Sequence, residues 1–263
     1  MTSRARAHAG PILTARGIVN RFGRQVVHDN LDLDIMRGEI LGIAGGSGSG
    51  KSVLLKTLVG LHRPEAGEVL VEGKAVASLG AAEKASLIGV LFQQGALFSS
   101  LSVAQNIMLP MREHSSLAPE DRERIAAMKL ALSGLPAESG LKFPSALSGG
   151  MVKRAAFARA LALDPRILFL DEPTADLDPI AASGIDALIR SLNESLALTV
   201  VIVTHDLTTL FTVCGRIAVL VDKGVTVGTA DKLMKSAHPW IHDFFHGPRA
   251  EGAMKAGKGS HGN

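Results

Sequence analysis

Gly45-Gly46-Ser47-Gly48-Ser49-Gly50-Lys51-Ser52 is the stretch on which the reading of this chain turns. It follows a short apolar run at residues 40–44 (ILGIA), which predicts a buried strand. It precedes residues 51–61, which predict a helix that stops before Pro64. Glycines let successive backbone N–H groups turn inward around an anion without Cβ clashes. The helix N-terminus adds a favourable dipole. The pattern is G-x4-G-K-[ST], a loop that cradles phosphates. Lys51 is expected to reach the β- and γ-phosphates of ATP, and Ser52 to ligate Mg²⁺. A merely flexible Gly/Ser turn would need neither the strand before it nor the Lys-Ser pair after it.

The segments on either side set the fold class. Residues 12–36 alternate loosely and end at the turn signal Arg37-Gly38, so they predict antiparallel strands. Residues 68–76 predict a hairpin around Glu72-Gly73, and 88–92 another strand. From 102 to about 163 the pattern is helical, with helices expected at 121–132 and 151–163. Strands return at 167–170, 199–203 and 217–221, and a helix carrying Ile185, Leu188, Ile189 and Leu192 lies between the first two. Strands alternating with helices predict a mostly parallel sheet covered on both faces, with the helical stretch inserted into it. The expected organisation is a basic tail at 1–10, a nucleotide-binding domain at 11–235 with a helical subdomain at about 98–163, and a C-terminal tail at 236–263 whose end is disordered.

Composition excludes several classes. Hydrophobic residues make up 46% and charged residues 20%, which is ordinary for a globular chain. The single cysteine, Cys214, excludes an internal disulfide framework and suits a reducing compartment. No apolar run approaches the roughly 18 residues that cross a bilayer. The start, MTSRARAHAG, is basic but has no apolar segment behind it, so it does not read as a secretory signal. The net charge of +3 comes from the two tails, where Arg4 and Arg6, and Arg249, Lys255 and Lys258 against Glu251, give +2 each, and the body between them, at 3 − 4 = −1, is close to neutral. A basic stripe on the fold itself is therefore not expected, nor is nucleic-acid binding.

Two further motifs carry chemistry. Residues 167–172 (ILFLDE) are four apolar residues running into two acids. Strands of open α/β sheets end at the ligand crevice. Asp171 is expected to hold Mg²⁺, and Glu172 to polarise the attacking water. Leu147-Ser148-Gly149-Gly150-Met151 places a serine and two glycines at the start of a helix, which makes a second anion site. One chain with one nucleotide has no obvious use for it.

A phosphate loop, then LSGG-x, then an apolar strand ending in Asp-Glu resembles the nucleotide-binding domain of ABC ATPases, over about residues 12–235. That resemblance implies a P-loop NTPase, RecA-like sheet with an N-terminal antiparallel β-subdomain and an inserted α-helical subdomain. It implies ATP contacts from Gly45, Gly46, Ser47, Gly48, Ser49, Gly50, Lys51 and Ser52. Phe22 resembles the aromatic residue that stacks on adenine. Gln93 resembles the Q-loop glutamine that contacts Mg²⁺ and the water. Ala175-Asp176-Leu177-Asp178 resembles the D-loop, and His205 the switch histidine at the γ-phosphate. The resemblance also implies a homodimer closed head to tail, in which Ser148, Gly149 and Gly150 meet the nucleotide of the other copy. Three departures stand out. Met151 replaces the commonest Gln, ADLD replaces SALD, and position 22 is Phe rather than Tyr. None removes a group that does chemistry.

Residues 90–114 (VLFQQGALFSSLSVAQNIMLPMREH), with Lys153-Arg154-Ala155-Ala156 after the signature, resemble the Mla/Mce-type, MlaF-like lipid-transport ATPases. This implies a phospholipid transporter between bacterial inner and outer membranes, with the chain peripheral on the cytoplasmic face of the inner membrane. Its implied partners are an MlaE-like membrane permease, an MCE-domain protein acting indirectly and an MlaB-like STAS-domain regulator. The alternatives are an ABC transporter for another solute, or a soluble ABC ATPase acting on nucleic acid or ribosomes. Only 54 residues separate Gln93 from Ser148, too few for a long coiled-coil insertion, and the chain carries one copy of each motif. Both features favour transport. His238, His242 and His246 share one face if helical, a spacing that permits zinc. Bracketing Pro239 and Gly247 and the absence of a nearby cysteine favour instead a packing surface with Trp240, Phe244 and Phe245.

Overall fold

The computed structural model describes residues 10–93, 95–247, 250 and 252–253. The expected basic tail, apart from Gly10, and the end of the chain after residue 253 lie outside the described residues. The chain divides into two compact units, Met1–Leu79 with His205–Asn263, and Gly80–Thr204.

The first unit opens with β1 (Pro11–Phe22) and β2 (Gln25–Met36), an antiparallel hairpin in which Phe22 pairs with Gln25 across Gly23-Arg24. β3 (Ile40–Gly45) is buried along its whole length. α1 (Lys51–Leu58) follows the phosphate loop and is three residues shorter than its sequence pattern suggested. Gly60, at φ +72°, ends it. The N–H of Gly60 reaches Thr57 O at 3.1 Å and that of Leu61 reaches Lys56 O at 2.8 Å, a left-handed cap that satisfies the last carbonyls. β4 (Ala66–Val71) and β5 (Lys74–Ala75) form the hairpin expected around Glu72-Gly73, both in left-handed conformation at φ +49° and +79°. These strands make one antiparallel sheet in the order β2-β1-β4-β5.

The second unit begins with α2 (Ala81–Leu87) and β6 (Ile88–Leu91). Three helices follow: α3 (Val103–His114), α4 (Pro119–Leu132) and α5 (Gly149–Ala160). α3 starts with a reciprocal capping box between Ser102 and Gln105. Val103, Ile107, Met111, Leu130, Ala155 and Ala158 pack together between the three helices. β7 (Ile167–Asp171) lies between β6 and β8 (Thr199–Val203), parallel to both, and α6 (Pro179–Leu196) connects β7 to β8. Parallel strands joined by a helix bury both faces, which explains why β8 is five consecutive buried residues.

The chain returns to the first unit with α7 (Leu207–Thr212), β9 (Arg216–Val221) and β10 (Gly224–Gly228). β9 runs parallel to β3 and antiparallel to β10. Glu39 accepts both 3.0 Å contacts from one Arg216 nitrogen, fixing the entry of β3 against β9. α8 (Ala230–Met234) and α9 (Pro239–His246) close the unit. Ile241 and Phe245 of α9 are fully buried against Leu210, Ile217 and Val219, so this part of the C-terminal segment is folded core. No helix of the described residues is long and apolar enough to cross a membrane.

Candidate functional site

In the first unit, β3 delivers its buried chain into the glycine loop, and Gly50 caps α1 at φ +94°. A Cβ on Gly50 would lie 2.4 Å from Val27 Cγ1 and 2.6 Å from His28 Nε2, so sterics and backbone both demand glycine there. The Lys51 ammonium folds into the loop and donates to Gly45 O at 2.8 Å and Gly46 O at 2.9 Å. That contact holds the cation at the loop's concavity, where a phosphate would be cradled. Ser52 is exposed on the first turn of α1. Phe22 is 50% exposed and stacks on His62, with ring centroids 5.2 Å apart. His205 is exposed in the loop that leads to the Asp206 cap of α7.

A buried polar trio supports this loop, and the sequence did not reveal it. Thr57 Oγ donates to Val53 O at 2.9 Å and accepts from Asn20 Nδ2 at 3.0 Å. The same amide donates to His28 Nδ1 at 2.9 Å. The His28 proton therefore sits on Nε2, the atom that faces Gly50. Protonating Nδ1 as well would bring two donors face to face. Burial, then repulsion from His62, lowers the His28 pKa to about 4. A group held neutral in this way stabilises the fold fully above its unfolded value of about 6.5 and loses that contribution as pH falls toward 4. The loss amounts to about 2 kcal/mol after allowance for solvent screening. Urea unfolding of the full chain at pH 7 and near pH 4 reads it: wild type falls by that much more than His28→Leu. Parallel pH curves for the two proteins would contradict the trio.

A cavity of about 320 Å³ lies beside the loop, lined among others by Val27, Ser47, Asp222, His238 and Trp240. The Trp240 indole nitrogen is 3.5 Å from where a Cβ on Gly46 would be, and its ring stacks on Phe244 at 4.8 Å. Trp240 thus lies against the loop, with Phe244 stacked on it. The three histidines separate. His238 caps α9 through Nδ1 and donates from Nε2 to Asp222 at 3.0 Å, while His242 and His246 stack at 4.2 Å. Among the described residues no three His, Cys, Asp or Glu side chains converge on a metal position.

In the second unit, β7 ends at Asp171, and Glu172 follows in left-handed conformation at φ +47°. Such a backbone costs about 1 kcal/mol in a non-glycine residue. Its N–H donates to Val203 O at 2.8 Å, and its Oε2 accepts from the Thr204 hydroxyl at 3.1 Å. Thr204 is a second residue the sequence did not single out. Gln93 is exposed just after β6. Asp178 of the D-loop caps α6, accepting from Ile180 and Ala181.

Ser148 caps α5 through a 3.4 Å contact from Met151 N, and the exposed Gly149 and half-buried Gly150 begin its first turn. A Cβ on either glycine would meet its nearest neighbour at an ordinary 3.5 Å. The fold itself would accept alanine at both positions. The first N–H groups of this helix end lack intrahelical partners.

The family model described as ABC transporter matches residues 28–175. The chain is 38% identical over 240 residues to the intermembrane phospholipid transport system ATP-binding protein MlaF of Haemophilus influenzae, covering 90% of each protein. It is also 38% identical over 244 residues to the probable ribonucleotide transport ATP-binding protein mkl of Mycobacterium leprae, covering 91% of this chain and 70% of that one. A solved dimeric structure of the ATP-binding cassette MJ0796, in a post-hydrolysis state bound to ADP and Pi, superposes with a TM-score of 0.74. Its identity is 32%, over 82% of this chain and 98% of that one.

Proposed function

The chain belongs to the ABC transporter family of ATP-binding cassettes, and from that membership we propose that it is the ATP-hydrolysing subunit of a system that moves phospholipid between bacterial inner and outer membranes. The observation that carries this reading is the match to MlaF, which is co-extensive with both proteins at 90%. The equally identical mkl protein is named for ribonucleotide transport, but the chain covers only 70% of it. The co-extensive relative is the better guide to what the cassette serves.

The roles follow from the residues. Residues 11–235 form the nucleotide-binding domain. Residues 45–52 hold the phosphates of ATP, with Lys51 as their cation, and Phe22 stacks on the adenine. Glu172 accepts the proton of the attacking water, with Thr204 orienting its carboxylate. Gln93 and His205 contact the water and the γ-phosphate. Ser52 hydroxyl, Gln93 amide and Asp171 carboxylate are hard oxygen donors, a set that fits Mg²⁺. The metal's part is to neutralise charge on the β- and γ-phosphate oxygens.

The Ser148-Gly149-Gly150 turn, exposed at its first two residues, is the half of a site that a second copy completes. Two chains close head to tail, and the charge-assisted contact to the γ-phosphate forms only on closure. The pair works beneath an integral permease, MlaE-like, on the cytoplasmic face of the inner membrane. An MCE-domain protein carries lipid onward, and an MlaB-like STAS-domain protein regulates. Lipid never touches this chain, whose contribution is the closing motion.

Affinity purification of the tagged full chain from detergent-solubilised membranes of its host, followed by reconstitution into phospholipid vesicles, tests the pathway. The expected result is a co-purifying permease and MCE-domain protein, with ATP-dependent transfer of labelled phospholipid. Recovery with ribosomes, or a reconstituted system that moves ribonucleotide and not lipid, would overturn it.

A further inference from the structure

Helix α5 carries a side chain for which the reading above has no use. Lys153 stands in the second turn of the helix and is only 6% exposed. Burying an ammonium is expensive unless acceptors surround it. Its Nζ donates to the main-chain oxygen of Gln93 and, at 3.2 Å, to the main-chain oxygen of Glu172. Burial lowers its pKa, and the attraction of Asp176, Asp171 and Glu172 opposes that shift. One cation therefore joins two peptides that lie far apart in sequence, in a nest of three acids.

Its surroundings make this a fixed assembly. Arg159, further along α5, donates to Ala96 O and, at 2.9 Å, to Gly95 O. The segment that follows β6 is thus tied to α5 at both ends. Glu172 is held at three points: its N–H by Val203 O, its carboxylate by Thr204 and its carbonyl by Lys153. A left-handed residue aims its side chain through the tilt of its own peptide. A contact on the carbonyl therefore acts on where the carboxylate points.

We propose that Lys153 is a positioning residue for ATP hydrolysis, whose ammonium holds the Gln93 peptide and the Glu172 peptide in one register. The proposal rests on the assignment of Gln93 and Glu172 to the chemistry. It also has a consequence for coupling. Ser148 caps α5, so the helix whose N-terminus meets an arriving phosphate is joined through Lys153 to the base and the glutamine. A shift of α5 on contact moves both together. Such a lysine acts on turnover; one that only fills the core would act on stability and binding alike.

Single-turnover hydrolysis, ATP affinity and thermal unfolding of the purified full chain, as wild type, Lys153→Met, Lys153→Arg and Glu172→Gln, test this. Lys153→Met keeps the length of the side chain and loses its donors. It is expected to slow hydrolysis by about tenfold or more, with ATP affinity within about twofold of wild type. Lys153→Arg, which keeps charge and donors, is expected to recover most of the rate. Wild-type turnover in Lys153→Met would overturn the proposal. So would a joint fall of rate, affinity and unfolding temperature that Lys153→Arg does not relieve. If Lys153→Met does not fold, Lys153→Gln takes its place under the same criteria. Undiminished hydrolysis in Glu172→Gln would overturn the assignment beneath the proposal, whereas loss in Glu172→Gln with none in Lys153→Met would sink the proposal alone.

Discussion

Replacing Glu172 with Gln is expected to slow ATP hydrolysis by about 10²- to 10⁴-fold, the usual contribution of a positioned general base, and to leave ATP binding intact. The substitution is nearly isosteric. The Gln carbonyl still accepts from the Thr204 hydroxyl, so the contact that orients the side chain survives. The backbone contact to Val203 and the carbonyl contact from Lys153 do not involve the side chain at all. What is removed is the negative charge that accepts a proton from water. The proposed assignment gives nucleotide binding to the glycine loop and not to this carboxylate. Stopped-flow phosphate release together with binding of a fluorescent ATP analogue separates the two effects. Hydrolysis at the wild-type rate would remove Glu172 from the chemistry.

The second large effect is expected at Lys51. Its ammonium already lies in the concavity of the loop, held by Gly45 O and Gly46 O. Turning it toward a phosphate exchanges those neutral acceptors for a charged one. Charged hydrogen bonds contribute about 1.5–3 kcal/mol each. Lys51→Ala is therefore expected to weaken ATP binding by about 10- to 100-fold, measured by equilibrium titration of the purified chain. Hydrolysis falls with it, because the substrate is no longer held. An affinity equal to wild type would show that the loop binds through its backbone alone.

The two substitutions fall in parts of the sequence that were equally legible. The phosphate loop and the ILFLDE strand were readable because each packs its chemistry into consecutive residues, where a turn, a strand end or a helix start fixes the geometry. The signature turn was readable for the same reason. The hairpin at Glu72-Gly73 carried a glycine signal. The β9–β10 turn at Asp222-Lys223 is also left-handed at both positions but has no glycine, and β10 went unread. The three-residue excess assigned to α1 came from ignoring Gly60, whose left-handed cap ends the helix before proline does.

What no local pattern reveals is contact between distant positions. Lys153 meets a carbonyl 60 residues away, and Asn20 meets Thr57 across 37 residues. His28 sits at a strand position where an apolar residue would serve the alternation equally well, so its role behind Gly50 emerges only from the packing. Thr204 was hidden beside His205, which drew attention as the switch residue. The C-terminal histidines show the converse. Their spacing suggested a shared helical face, yet His238 lies outside the helix as its cap and turns to Asp222.

The central claim is that one chain binds ATP while two chains hydrolyse it, because residues 45–52 supply one half of a site and Ser148 to Gly150 of another copy supply the rest. The dimeric solved cassette that this chain resembles, with a TM-score of 0.74, supports this most plainly. Sedimentation equilibrium of Glu172→Gln, with and without ATP, tests it most directly. The expected result is the mass of one chain, 27.5 kDa, without nucleotide and twice that mass with saturating ATP. A protein that binds ATP and keeps the mass of a single chain would contradict the account.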